Sequence, residues 1–179
     1  MSTPSAPDTR ITRPAGPPVP NAPGFDEVQA EARRLVGARL FTVLAWDDER
    51  GALARVHTSH PVEYPVEYPV GGEKFMPRDA PWPQQVLVRQ QPYLGVDPAS
   101  VAAVFADWPT IEALGCGATL NLPVVVDGRT IGALSLLDAA GTYDETSIAR
   151  AAPAAGLAVA PLLAWHATRT AVPTPEENR

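Results

Sequence analysis

A single cysteine and a single lysine stand among the 179 residues of this chain. With Cys116 alone, a disulfide framework, a cysteine-based zinc site and a two-thiol redox cycle within one chain are excluded. Positive charge is also scarce. The 14 Lys and Arg face 20 Asp and Glu, and the formal net charge of -6 argues against nucleic acid or an acidic membrane surface as a partner. No run approaches the ~18 consecutive apolar residues that a membrane span needs. The first residues are rich in Pro and Ser rather than apolar, so no secretory signal is expected and the cytoplasm is the expected location.

What the chain does hold is 45% hydrophobic residues and 21 prolines. Its length suits one domain, large enough to bury a core without covalent or metal staples. Residues 1–24 carry seven prolines and almost no large apolar side chain, which predicts a disordered tail serving as a tether or as a Pro-rich ligand for a partner. Residues 171–179 are expected to be a second tail. The folded unit is then 25–170. Within it, residues 60–83 hold six prolines and the immediate tandem repeat Val62-Glu63-Tyr64-Pro65 and Val66-Glu67-Tyr68-Pro69. Such a stretch excludes a central strand or a long helix. The repeat reads as a duplication in a tolerant loop or as an extended arm presenting two tyrosines.

Local patterns predict the elements. Asp26 and Gln29 form a capping-box pattern before Val28, Ala32 and Leu35, and Gly37 stops that helix. Leu40 to Trp46 and Ala52 to Ser59 are β-rich runs joined by a polar turn. A helix from Asp79 or Pro81 to about Gln91 carries Trp82, Val86 and Leu87 on one side. Tyr93 to Val96 is a short strand, and Asp97-Pro98 opens another helix. Trp108 to Leu114 adds a further turn or two. Gly117 to Val126 and Arg129 to Leu137 are strands separated by Asp127-Gly128, the preferred two-residue hairpin turn. A capping box at Thr142 to Glu145 starts the last helix, which Pro153 and Pro161 should kink or split. The order implies an α+β fold with a central, mostly antiparallel sheet. Terminal helices cover one face and a helical and loop excursion covers the other.

The segment LGCGATLNLPVVVDGRTIGALSLLDAAGTYDETSIARAAPAAG, from Leu114 onward, resembles the C-terminal half of a GAF domain. The first helix and hairpin fit the family's N-terminal half, so the likeness spans about 25–168. The chain resembles in particular the stand-alone bacterial GAF proteins. The resemblance implies a small-molecule-sensing fold that often dimerises through its terminal helices.

Cys116 bears on chemistry first. The GAF branch that reduces free methionine sulfoxide cycles two thiols, and this chain has one. The bilin-binding pattern puts His directly after its Cys, where Gly117 stands here. The cyclic-nucleotide pattern needs an Asn-Lys pair, and nothing precedes Lys74 that fits. Neither a nucleophile elbow nor a metal-ligating His cluster occurs, so no catalytic residue, metal or cofactor is expected. His166 in the last helical turn is accounted for by the helix dipole.

Strand alternation marks one face as unusual. Leu120, Leu122, Val124, Leu134 and Leu136 point toward the terminal helices; Thr119, Asn121, Val125, Ile131, Ala133 and Ser135 point the other way. Polar and small residues under an aromatic-bearing cover suit a small-molecule pocket. The candidate ligand-binding residues are Thr119, Asn121, Ser135, Trp82, Tyr93, Phe105, Trp108, Phe75 and Arg78. The alternative is a filled second core layer in which the polar groups satisfy one another. The leading expectation is therefore a non-enzymatic sensory domain. It binds an unidentified small organic ligand, works as a homodimer through its terminal helices and signals to a separate partner. The rivals are an enzyme using Cys116 and a ligand-free dimerisation scaffold.

Overall fold

A computed structural model describes residues 21–64 and 74–170. The expected tails at 1–20 and 171–179, the second copy of the Val-Glu-Tyr-Pro repeat and Gly71-Gly72 lie outside the described residues. The elements are α1 (Asp26–Val36), β1 (Leu40–Asp47), β2 (Ala52–Thr58), β3 (Lys74–Phe75), a π-helix (Pro83–Val88), β4 (Tyr93–Gly95), α2 (Pro98–Ala102), α3 (Trp108–Ala113), β5 (Ala118–Val126), β6 (Arg129–Asp138), α4 (Glu145–Leu157) and α5 (Val159–Thr170). The strands form one six-stranded sheet in the order β3-β2-β1-β6-β5-β4, every pair antiparallel.

The β5–β6 turn is the one the sequence predicts: Asp127 and Gly128 sit at φ 49 and 75. Its strands alternate as expected. Leu120, Leu122, Val124, Leu134 and Leu136 join Phe41 and Val43 in a core against Val28, Ala32, Ala151, Ala154 and Leu162 of the terminal helices. Each fully buried large apolar side chain there contributes roughly 1.5–3 kcal/mol relative to exposure. Ile131 departs from the pattern and packs with the helix-side core. The register shifts between Val124 and Val125, so Thr130 takes the opposite face and donates its hydroxyl to Leu87 O at 2.7 Å.

Several expectations about ends are corrected. Residues 21 and 22, within the expected tail of 1–24, are hydrogen-bonded to β2. Asn21 donates to Thr58 O and accepts from Thr58 N, both at 2.9 Å, and Ala22 N donates to Val56 O. The Asp26–Gln29 box does not form: Phe25 is the N-cap without a side-chain bond, and Gln29 is drawn to His57 instead. The box before α4 forms two residues further on, between Asp144 and Ser147, while Asp97 and Ser100 box α2 with Pro98 in its first turn. The helix predicted from 79 or 81 to about 91 is a short π-helical piece, although it does turn Val86 and Leu87 inward. The last helix splits at Ala158 and bends by 45°. Pro161 explains the break, since its ring clashes with the carbonyl four residues back, that of Leu157.

No single helix among the described residues is long and apolar enough to cross a membrane. On the other face of the sheet, Tyr64 and the segment from Met76 to Cys116 supply two further clusters. One joins Leu44, Trp46, Leu53 and Ala133 to Trp82, Val86 and Leu87; the other joins Leu40 and Leu137 to Tyr64, Val101, Ile111 and Cys116.

Candidate functional site

Strand pairing aligns one polar row across this second face. Tyr93 of β4 stands opposite Asn121, Asn121 opposite Ser135, Ser135 opposite Thr42, and Thr42 opposite Thr58. Direct cross-strand partners share a face. Four of the five, all but Tyr93, are buried. Groups in such a position need hydrogen-bond partners. Trp82 Nε1 donates to Asn121 Oδ1 at 3.0 Å, and Asn121 Nδ2 donates to Ser135 Oγ at 2.7 Å. Thr58 Oγ1 donates to Tyr64 O at 2.7 Å. Tyr93 donates its phenol to Ser100 O at 2.8 Å, and burial, helped by Asp97, raises its pKa.

Thr119 is different. It lies two residues before Asn121 on the same face, opposite Gly95 of β4. Its side chain is 0% exposed, and its hydroxyl has no hydrogen-bond partner among the described residues. An unpaired buried hydroxyl costs about 1–3 kcal/mol.

Of the nine sequence-predicted residues, Trp82, Asn121 and Ser135 meet directly, and Tyr93 and Thr119 border them. Trp82 joins through its indole N–H, which takes the amide oxygen of Asn121. Phe105 and Trp108 pack one cluster away, against Val101, Ile111 and Leu137. Phe75 and Arg78 do not join the site. Phe75 is 66% exposed on β3, at the opposite edge of the sheet. Arg78 pairs with Asp48 at 3.6 Å, at the rim of an open cleft of about 380 Å³ that also touches Gln90 and Arg129. Sheet order is the reason: β2, β1 and β6 stand between β3 and Asn121.

Arg55 was missed. It faces the same side as the polar row, opposite Leu44, and its side chain is only 9% exposed. Its guanidinium stacks 3.9 Å from the Tyr64 ring centroid, and Nη2 lies 3.7 Å from Asp107 Oδ2 at the start of α3. The available signal was one charged residue inside the apolar run Ala-Leu-Ala-Arg-Val-His-Thr.

Cys116 is buried, and burial, with Asp138 second, pushes its thiol up to about 11. At neutral pH it is a protonated thiol, whereas the nucleophile is the thiolate. His166 is held by tertiary structure rather than by the helix dipole alone: Nε2 donates to Ile131 O at 2.8 Å. No group of three or more His, Cys, Asp or Glu among the described residues is arranged to hold a metal ion.

Among the solved structures that share this fold are three GAF domains. The GAF domain of a two-component sensor histidine kinase from Bacillus halodurans is 12% identical, with a TM-score of 0.59 over 80% of this chain and 94% of that one. A GAF domain/HD domain protein from Geobacter sulfurreducens is 17% identical, with a TM-score of 0.55 over 82% of this chain and 92% of that one. A GAF domain in its photoproduct state from Synechocystis is 18% identical, with a TM-score of 0.53 over 83% of this chain and 97% of that one. The chain has the GAF fold. No protein-family model matches the sequence, and no curated protein matches it either. Within the GAF fold, the polar row and Arg55 lie on the sheet face roofed by the excursion between β2 and β5.

Proposed function

We propose that this GAF-fold protein is a sensory domain without catalysis of its own. It binds a small organic molecule on the roofed face of its sheet. It acts as a cytoplasmic homodimer through its terminal helices and passes the signal to a separate partner. Sensory context among its structural neighbours supports the reading: one comes from a sensor histidine kinase and another was solved as a photoproduct. The observation that carries it is Thr119, a wholly buried hydroxyl without a partner among the described residues, beside a polar row on an otherwise apolar face. That combination of apolar lining and few polar groups is what small-molecule sites use. Catalysis by Cys116 gains no support from a buried, protonated thiol.

The bonds from Trp82 to Asn121 and on to Ser135 favour a second reading, a ligand-free dimerisation module whose sheet face is core. Thr119→Val separates the two. It keeps the shape of the side chain and removes the orphan hydroxyl. The melting temperature should hold or rise, because a stranded polar group costs about 1–3 kcal/mol. Native mass spectrometry should find a co-purified small molecule on the wild type and less of it on the variant. Wild-type protein free of any adduct, with a variant indistinguishable from it in oligomeric state, would favour the scaffold.

A further inference from the structure

Two arginines and two aspartates, Arg78, Arg129, Asp48 and Asp79, line the open cleft of about 380 Å³. The cleft lies where the β1–β2 turn, the end of the π-helix and the β5–β6 turn come together. Thr119 stands near the other end of β5, about 23 Å along the strand from Val126. Polar ties fix one wall. Gln90 Nε2 donates to Gly128 O and Thr130 Oγ1 donates to Leu87 O, both at 2.7 Å, which joins the π-helical segment to the β5–β6 turn. Gln90 sits at φ 58, a left-handed conformation that a residue with a Cβ keeps only where its surroundings over-determine it. The charges, by contrast, are tied loosely. Arg78 Nη1 is 3.6 Å from Asp48 Oδ1 and Arg129 Nη2 is 3.5 Å from Glu49 Oε1, both beyond the roughly 2.7–2.9 Å of a charge-assisted hydrogen bond. Exposed pairs of this kind are exchanged at little cost. The Asp79 carboxylate makes no ion pair or hydrogen bond among the described residues. Beside these charges, Val88 leaves an apolar side chain 44% exposed.

A simple anion in this cleft is drawn to the arginines and repelled by the aspartates, and a simple cation meets the reverse. A molecule that carries both signs complements both. We propose that the cleft is a second ligand site and that it takes a small zwitterion of the free amino-acid class. The ligand's carboxylate takes the place of the acidic partners of Arg78 and Arg129, whose planar forks suit it. Its ammonium pairs with Asp79, and its apolar side chain lies against Val88 and Leu87. The volume is in the range that small-molecule sites occupy. The partners displaced, Asp48 and Glu49, both belong to the β1–β2 turn, so binding frees that turn from these two ties. The site stands whether or not the roofed face holds a ligand.

Calorimetric titration of the full chain with three probes of one carbon skeleton tests this: L-norleucine, the anion N-acetyl-L-norleucine and the cation L-norleucinamide. A buffer at about pH 6.5 keeps the amide's α-amino group charged, since such groups titrate at about 7.7–8.0. L-Norleucine should bind with a Kd of about 1 mM or tighter, and each singly charged analogue at least about fivefold more weakly. Arg129→Gln should weaken norleucine and its acetyl derivative about fivefold and leave the amide unchanged. Asp79→Asn should weaken norleucine and the amide about fivefold and leave the acetyl derivative unchanged or tighter. Both positions are exposed, and thermal melts matching the wild type check that each variant folds. A general loss of structure would lower all three affinities together, so the crossed pattern reports charge recognition at the cleft. The proposal is overturned by a well-folded wild type that gives no binding heat at about 10 mM norleucine, tenfold above that Kd. Equal affinity for the three probes, a tighter singly charged analogue, norleucine binding that either substitution leaves unchanged, or equal loss of all three probes overturns it as well.

Discussion

His57 and Asn121 show two ways of burying a polar side chain. His57 is held between α1 and β2, its Nε2 at 2.8 Å from Gln29 Oε1 and its ring against Phe25 and Phe41. Burial lowers its pKa from 6.5; Asp26 opposes the shift and Arg33 adds to it. The folded state therefore holds fewer protons than the unfolded state below pH 6.5. Stability from this site is complete above pH 6.5 and is lost as pH falls toward the depressed folded value. Urea unfolding at pH 7.5 and at about pH 5.5 should show that decline, and His57→Gln should flatten it. Asn121 is satisfied on both ends of its amide, by Trp82 and Ser135. Asn121→Leu strands both partners and should cost about 1–3 kcal/mol whether or not a ligand binds. A variant as stable as wild type would mean that these two bonds contribute nothing net.

At the scale of elements, small residues set how closely the pieces approach. Gly132 of β6 sits where α5 crosses the sheet. A Cβ there would lie 2.3 Å from Leu44 O and 2.8 Å from Leu162 Cδ1. The first contact is backbone and cannot yield. Gly132→Ala should therefore destabilise by about 1–3 kcal/mol, the usual penalty for overpacking. Gly156 of α4 is the control: a Cβ there meets nothing within 4 Å. Gly156→Ala should be neutral or stabilising by up to ~1 kcal/mol, as helix propensity dictates. Thermal melts of the pair check both signs, and equal effects would remove the packing explanation.

For the whole molecule, α4 and α5 carry an apolar surface on both sides. Ala151, Ala154, Ala158 and Leu162 are wholly buried against the sheet. On the outside, Ala152, Gly156, Leu157, Ala160, Leu163 and Ala164 are all exposed, with Leu157 at 48% and Leu163 at 45%. A helix apolar all round asks for a second cover, and a second copy of the chain is the proposed one. Sedimentation should report a dimer at about 50 µM, inside the micromolar range of ordinary interfaces. Leu157→Glu combined with Leu163→Glu should convert it to a monomer with an unchanged far-ultraviolet spectrum. A wild-type monomer under those conditions would end the proposal.

The features legible in the sequence are those whose physics is local. Asp127-Gly128 fixes its turn because both residues tolerate positive φ, and strand alternation assigns Leu120, Leu122, Leu134 and Leu136 to one face. Asp97-Pro98 and Pro161 mark a helix start and a helix break through the missing proline N–H and the capping carboxylate. Asn121 and Ser135 stand out as polar groups on an apolar strand for the same reason. Tertiary structure alone decided who meets whom. Trp82 reaches Asn121 across 39 residues of chain, and the indole N–H had many acceptors open to it in sequence terms. Sheet order, a global property, removed Phe75 and Arg78 from the site. It also gave Arg55 its roof, because the burial of a charge depends on what the excursion lays over it and not on its neighbours in the strand.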